Sequence, residues 1–421
     1  SGRTQSALMG QAAKLKTWLS DGTDVSWGDI LHTSAAGRTH FGERAVIIAK
    51  DIGDATSKLE ALEADQRSGG VLRGEGSPSG ALAFLFTGQA SQSLAMGKSL
   101  YETYPAYRKA LDAICVELDK HLPHPLLSVL FAEQQSPKGS SIDETQWTQP
   151  ALFAVESALF HFWQSVGVSP DYLLGHSIGE LSAAYAAGVL SLEDAAKLVC
   201  ARGKLMQQCE PGGAMASLEA SEIEVKELLE QFSGIVDIAA LNGPTQTVVS
   251  GDEAAVSELI AHFERLGRQT TRLRVSHAFH SFHMDSMLEN FKEVASSCVY
   301  GEPRIPIVSN VSGGIARGDE LQCAEYWVEH VRSAVRFLDG MQTLQSEGVA
   351  WFVECGPNGV LCAMGASCLP DAPVSFVPSM RKGRNEAKTL GTAMGTLYAA
   401  GFQLDWRGLY GGLGTQLRII P

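Results

Sequence analysis

The chain has 421 residues, 45% of them hydrophobic and 19% charged, with a formal net charge of -14. That length suits two or three domains with real cores, and that composition belongs to a soluble globular enzyme rather than a disordered or fibrous chain. The acidic balance excludes a general nucleic-acid binder and requires any acidic partner to dock on a local basic patch.

The eight cysteines show no paired C-x-x-C spacing and read as reduced thiols of a cytoplasmic protein. No window is apolar enough to span a membrane and the start carries no signal peptide; Ser1-Gly2 reads as a cloning remnant on an excised fragment. Residues 3–66 read as a small α/β unit. Leu8, Ala12, Leu15, Trp18 and Leu19 recur at helical spacing, 45–49 is a strand, and Ile52, Ala55, Leu59 and Leu62 mark another helix. The Gly- and Ser-rich stretch 67–80 reads as a loop or linker, which makes this first unit a separate adaptor without chemistry of its own.

The main domain opens with a strand at 81–86 that runs into Thr87-Gly88-Gln89-Ala90. A small-residue loop of this kind offers backbone N–H groups to an oxyanion, and a plain turn is the bland alternative. Leu152, Val155, Leu159 and Trp163 form an apolar helix face, and a strand at 172–174 leads into Gly175-His176-Ser177-Ile178-Gly179 and a helix at 181–187. A serine on a strand-to-helix corner, with glycines that let neighbouring backbone approach and a helix N-terminus behind it, is a nucleophile elbow. Strands alternating with helices imply a mainly parallel sheet with the site at the strand C-termini.

Gly188 stops the elbow helix and Ser191 caps the next one. Ala195, Leu198, Val199, Leu205 and Met206 make its apolar stripe, and Arg202 falls inside that stripe. A core-facing guanidinium needs a partner, since breaking a buried pair costs about 3 to 5 kcal/mol. An internal Asp or Glu and a substrate carboxylate both satisfy that demand.

Over 212–275 the pattern changes to short strands at 215–218, 236–240, 246–250 and 270–275, with helices near 222–232 and 253–266. This βαββαβ order fits a ferredoxin-like insert that walls one side of a cleft. Its exit carries His277, His280 and His283, spaced three apart without a His-Glu-x-x-His helix signature, so a catalytic base is preferred over zinc. A hinge between two lobes brings a histidine to the cleft, where a serine needs one to take its proton. Beyond it lie strands at 305–309, 351–354 and 374–377, a helix from Tyr326, the turn Gly356-Pro357-Asn358-Gly359, a basic run at 381–384 and a helix at 387–400. The tail that follows, to 421, must pack on something already folded.

Taken together, Gly88-Gln89, Gln149-Pro150-Ala151-Leu152-Phe153, Gly175 to Glu180, Arg202-Gly203-Lys204-Leu205-Met206-Gln207, His277 to Ser281 and Glu354-Cys355-Gly356-Pro357 resemble the acyltransferase domain of a modular type I polyketide synthase. The motifs stand in the order of that malonyl-CoA:acyl carrier protein transacylase family. The resemblance implies an α/β-hydrolase-like large subdomain with a mainly parallel sheet, a ferredoxin-like small subdomain, and a small N-terminal α/β linker domain. It divides the chain into a ketosynthase-acyltransferase linker (1–75), the acyltransferase domain (81–381, insert about 212–275) and a post-acyltransferase linker (382–421).

Residue by residue, the resemblance implies Ser177 as the acylated nucleophile and His280 as its base. It gives the N–H groups of Gln89 and Ile178 as the oxyanion hole, and Arg202 as the clamp on an extender carboxylate. It also gives His330 as the residue whose carbonyl orients His280. Ile178, His277 and Phe279 resemble the malonyl-selecting pattern. No metal or bound cofactor is implied. Malonyl-CoA is the implied substrate and the phosphopantetheine of an acyl carrier protein the acceptor, with the ketosynthase adjacent in the same polypeptide and neither nucleic acid nor membrane as a partner. Ala90 departs from a usual glycine, and Phe282-His283 stand where the family varies. A serine hydrolase of α/β-hydrolase type and a non-catalytic docking module are the rival readings.

Overall fold

The computed structural model describes residues 1–133, 139, 141–232, 234–418 and 420, so positions 419 and 421 of the predicted tail lie outside the described residues. The chain begins with helices Gln5–Ser20, Trp27–Ala36 and Ile52–Glu63, whose preceding Thr4, Ser26 and Asp51 each accept a first-turn N–H. They accompany an antiparallel pair, β1 (Arg44–Ile47) and β2 (Val71–Gly74).

Strand β2 lies inside the stretch expected to be a linker. Its Val71-Leu72 pairs with Ile47 and Val46, and the helix Glu386–Ala400 covers both strands, so close that a Cβ on Gly395 would stand 3.0 Å from Leu72 and Val46. The first unit keeps a core of its own around Leu19, Ile30 and Leu59, and that helix covers its sheet. Buried Arg44 donates to the Tyr398 carbonyl at 2.8 Å and lies over the Tyr398 ring. The tail continues the same wrap, with Arg418 paired to Asp29 at 2.9 Å.

The central sheet begins with β3 (Ala81–Phe86) and β4 (Tyr172–Gly175), joined through the almost wholly buried helix Thr145–Ser165. After the elbow helix Ile178–Ala187 and the helix Leu192–Gln207, the chain enters the insert: β5 (Ala214–Leu218), β6 (Val236–Gly243), β7 (Gln246–Gly251) and β8 (Thr270–Arg272). These form an antiparallel sheet in the order β6-β7-β5-β8, backed by helices Glu222–Leu229 and Glu253–Arg265 around Val225, Val256, Leu259 and Phe263. That order is the ferredoxin-like one.

The chain then returns through β9 (Ile307–Val308), β10 (Val349–Cys355) and β11 (Ser375–Pro378). The sheet order β11-β10-β3-β4-β9 is parallel at every pairing, as expected of a sheet fed by helical crossovers. Its strands are nearly continuous apolar runs because helices cover both faces. The loops after β3, β4 and β9 all emerge at one edge, which gathers Gln89, Ser177 and Asn310. Among the described residues no helix is long and apolar enough to cross a membrane.

Candidate active site

Ser177 sits at the corner between β4 and the elbow helix with φ 53° and ψ -117°, a conformation that L residues adopt only under constraint. The flanking glycines are required by contact. A Cβ on Gly175 would stand 2.1 Å from the Glu180 nitrogen, and one on Gly179 would stand 2.2 Å from the Phe86 oxygen. The elbow helix therefore presses directly on the ends of β4 and β3, and the hydroxyl is left at the apex.

Ser177 Oγ lies 2.8 Å from His280 Nε2, and His280 Nδ1 lies 2.8 Å from the Ser333 carbonyl oxygen. A carbonyl only accepts, so Nδ1 carries the proton and Nε2 presents its lone pair to the serine. Burial, then the Arg202 cation and His330, hold the His280 imidazole well below its ordinary pKa, which keeps it neutral at physiological pH.

The orienting carbonyl is thus Ser333's and not His330's, which corrects the expectation. His330 lies inside the helix Ala324–Arg332, whereas Ser333 ends it in extended backbone at φ -75° and ψ 155°, freeing its carbonyl. The His330 ring is buried behind His280, with Nε2 3.3 Å from Glu180 Oε2 but off hydrogen-bond alignment.

Arg202 is 1% exposed and donates from Nη2 to Ser177 Oγ at 3.3 Å. Its Nε and Nη1 are buried without a partner, and among the described residues no carboxylate forms an ion pair with it. Of the two partners open from the sequence, no internal acid lies within ion-pair distance of it among the described residues, and Glu180 acts on it only from farther away. Burial lowers the Arg202 pKa to about 9, against a raising effect of Glu180, so the group stays cationic at neutral pH. The site holds a positive charge with unsatisfied donors beside the nucleophile.

The loop after β3 comes to the elbow from the other side. A Cβ on Gly88 would meet His176 Nδ1 at 2.9 Å, and the Gln89 side-chain oxygen accepts from Gln149 Nε2 at 2.8 Å. Among the described residues, neither the Gln89 nor the Ile178 backbone N–H has an acceptor within the fold. Ala90, where glycine was the usual residue, stands at φ 76°, in the region glycine adopts freely.

The three spaced histidines serve three separate partners. His277 donates to the Cys209 carbonyl at 3.1 Å and accepts from Ser276 Oγ at 2.8 Å, while its backbone bridges Gly212, the other strand of the hinge. His283 pairs with Asp252 at 3.0 Å. Phe279 is buried in the main core with its ring centroid 5.9 Å from that of His277.

Among families of known sequence, the one described as "Acyl transferase domain" matches residues 83–403, and one described as "CurL-like, PKS C-terminal" matches residues 1–59. The chain belongs to the acyltransferase domains of modular type I polyketide synthases. It is 46% identical, over its whole length, to a segment amounting to 6% of polyketide synthase GfsA of Streptomyces halstedii. It is 42% identical to a segment amounting to 20% of the spectinabilin synthase protein NorB of Streptomyces orinoci. It thus spans a small part of the curated relatives it matches.

The acyltransferase domain from the second module of the salinomycin synthase superposes with a TM-score of 0.83 at 43% identity, covering 99% of this chain and 97% of that one. The malonyl-CoA:acyl carrier protein transacylase of Xanthomonas oryzae gives 0.66 at 33% identity, covering 75% of this chain and 99% of that one.

In this acyltransferase domain two groups behind the dyad escaped the sequence reading. Glu156, on the long buried helix, accepts from Thr87 Oγ1 at 2.5 Å and from Ser182 Oγ at 2.7 Å, tying the β3 loop to the elbow helix. Burial raises its pKa to about 8. Asn310 follows β9 and accepts from the Ser177 N–H at 2.8 Å. The strand read at 305–309 held the signal for it, because a polar residue just past a parallel strand's C-terminus stands where such sheets build their sites.

Proposed function

We propose that this domain transfers a malonyl extender from malonyl-CoA, through an acyl-serine, to the phosphopantetheine thiol of an acyl carrier protein in polyketide biosynthesis. In the first half, Ser177 Oγ attacks the thioester carbonyl while its proton passes to His280 Nε2. The carbon-sulfur bond breaks and the CoA thiolate leaves with that proton. In the second half the carrier thiol gives its proton to His280 and attacks the ester, and Ser177 recovers its proton as the new thioester forms.

The N–H groups of Gln89 and Ile178 hold the oxyanion in each half, a contact worth about 3 to 4 kcal/mol per donor. Arg202 pairs with the malonyl carboxylate, and the acyl group supplies the acceptor its buried N–H groups lack. That unpaired guanidinium beside Ser177 Oγ is the observation that carries the reading. Phe279, one residue before the base, disfavours a C2 methyl, and His277 supports it from the hinge. One methylene discriminates by about 1 to 3 kcal/mol, so malonyl is preferred rather than exclusive.

The match at 1–59 supports reading 1–75 as a ketosynthase-acyltransferase linker, with the acyltransferase domain over 81–381 and the post-acyltransferase linker over 382–421. Relatives named for spectinabilin and salinomycin synthesis support a place in antibiotic biosynthesis, in the cytoplasm, with the ketosynthase and carrier as neighbours.

The test is intact-mass measurement after mixing with malonyl-, methylmalonyl- and acetyl-CoA. A malonyl adduct that forms fastest and is absent from Ser177→Ala is expected. An adduct unchanged in Ser177→Ala would place the nucleophile elsewhere, and faster methylmalonyl loading would sink the selectivity argument. Rapid release of free malonate would favour the hydrolase.

A further inference from the structure

We propose that Asn310 is a positioning residue of the dyad, one that fixes the nucleophile's backbone and the segment orienting His280 in a single mutual arrangement. The proposal rests on Ser177 and His280 acting as nucleophile and base.

Asn310 is 2% exposed, and each of its polar groups is engaged. Its Oδ1 accepts from the Ser177 N–H at 2.8 Å and its Nδ2 donates to the Gly175 carbonyl at 2.8 Å, so the side chain staples the elbow on both sides of its corner. Its own N–H donates to Glu180 Oε2 at 2.9 Å, and its carbonyl accepts from the Arg336 N–H at 2.9 Å.

The first pair matters because Ser177 holds a constrained φ/ψ, which persists only where surroundings over-determine it. With the Asn310 amide removed, the Ser177 N–H loses its acceptor and the corner is free to relax. Oγ then moves off its 2.8 Å line to His280 Nε2. The same bond keeps the Ser177 N–H turned away from the acyl oxygen and leaves that role to Ile178.

The second pair reaches the base. Arg336 lies just past Ser333, whose carbonyl accepts from the His280 Nδ1–H. Between them Val335 is clasped by β6 of the insert, donating to the Ala239 carbonyl and accepting from the Leu241 N–H, each at 2.9 Å. The short segment that orients the base is thus held by the insert on one side and by Asn310 on the other. Behind Asn310, Glu180 also accepts from the Tyr326 hydroxyl, itself 2.8 Å from Ser309 Oγ, so the anchor is buried and braced. Such an anchor governs alignment rather than affinity, and misplacement by about 1 Å costs on the order of 100-fold in rate.

The experiment uses the full chain with Asn310→Ala and Asn310→Asp, kept well below each variant's melting temperature. Two readouts are taken: Ser177 labelling by a fluorophosphonate, and kcat and KM for malonyl-CoA with a phosphopantetheine thiol as acceptor. Asn310→Ala should lower labelling and kcat by about 100-fold and Asn310→Asp, which keeps the acceptor for Ser177, by about 10-fold, with KM within about threefold.

If Asn310→Ala does not fold, Glu180→Gln keeps the shape and an acceptor while loosening the anchor. It should lower kcat by about 3- to 10-fold without moving KM. Folded variants that label at the wild-type rate, or that raise KM with kcat intact, overturn the proposal. Wild-type protein that labels but is not acylated by malonyl-CoA would overturn the substrate reading alone, because labelling does not depend on the acyl group.

Discussion

Arg202 is a charge held where packing alone favours a hydrocarbon. Its helix gives it a core-facing position between Val199 and Met206, both buried. Replacing a buried ionic group with an apolar side chain of similar volume is often neutral or stabilising by about 1 to 4 kcal/mol, whereas removing one member of a desolvated pair costs about 2 to 5 kcal/mol. The two effects separate structure from function. Arg202→Met should keep or raise the melting temperature while malonyl transfer falls by the larger figure and acetyl transfer much less. Matched losses for both acyl groups, with a lower melting temperature, would make Arg202 a structural residue. The sequence carried this argument as far as the missing partner, because an apolar stripe exposes an intruding charge. It could not choose the partner, since that depends on which carboxylates reach the pocket.

At the scale of elements, what was legible followed from period and corner chemistry. The elbow, the parallel sheet and the βαββαβ insert come from local patterns, and the structure places each within a few residues of its expected range. Strand β2 and the Ser333 carbonyl did not come that way. Val71 and Leu72 form a strand only because β1 and the helix Glu386–Ala400 close over them. The base's orienting group is a backbone atom, which every residue has and no side-chain pattern marks.

The β3 loop shows a further limit, where the sequence flagged Ala90 as unusual and only φ explained it. Left-handed backbone costs a non-glycine residue about 1 to 2 kcal/mol. Glycine's added freedom in the unfolded chain offsets about 0.4 to 1 kcal/mol of the relief. Ala90→Gly should therefore stabilise the domain by about 0.5 to 1 kcal/mol in urea titration. A loss of stability would mean that the alanine methyl makes a contact outweighing its strain.

The whole molecule is tuned by acids and imidazoles buried around the sheet. Glu156 and Glu354 are fully buried, and burial raises their pKa values to about 8 and about 7. The folded state therefore keeps protons that the unfolded chain releases near the ordinary carboxylate pKa of about 4.5. Above that value the folded form binds more protons, so stability falls as pH rises through the folded pKa values.

His280 and His176 have the opposite sign. Burial lowers both, the unfolded chain protonates first, and stability falls as pH drops below about 6.5. Between about 4.5 and 6.5 the two effects oppose each other, and above about 6.5 the histidines drop out while the acids continue, opposed by the lowered Ser1 amine. Each neutral acid changes stability by up to about 1.4 kcal/mol per pH unit, so denaturation should show a decline of about 2 kcal/mol or more between pH 6.5 and 8. Glu156→Gln keeps a neutral acceptor for Thr87 and Ser182 and removes the titrating group with the higher pKa. Its decline should shrink to about 0.8 kcal/mol and flatten towards pH 8, as Glu354, half ionised at about 7, finishes releasing its proton; wild type and variant falling in parallel to pH 8 would show that Glu156 is not the group being titrated.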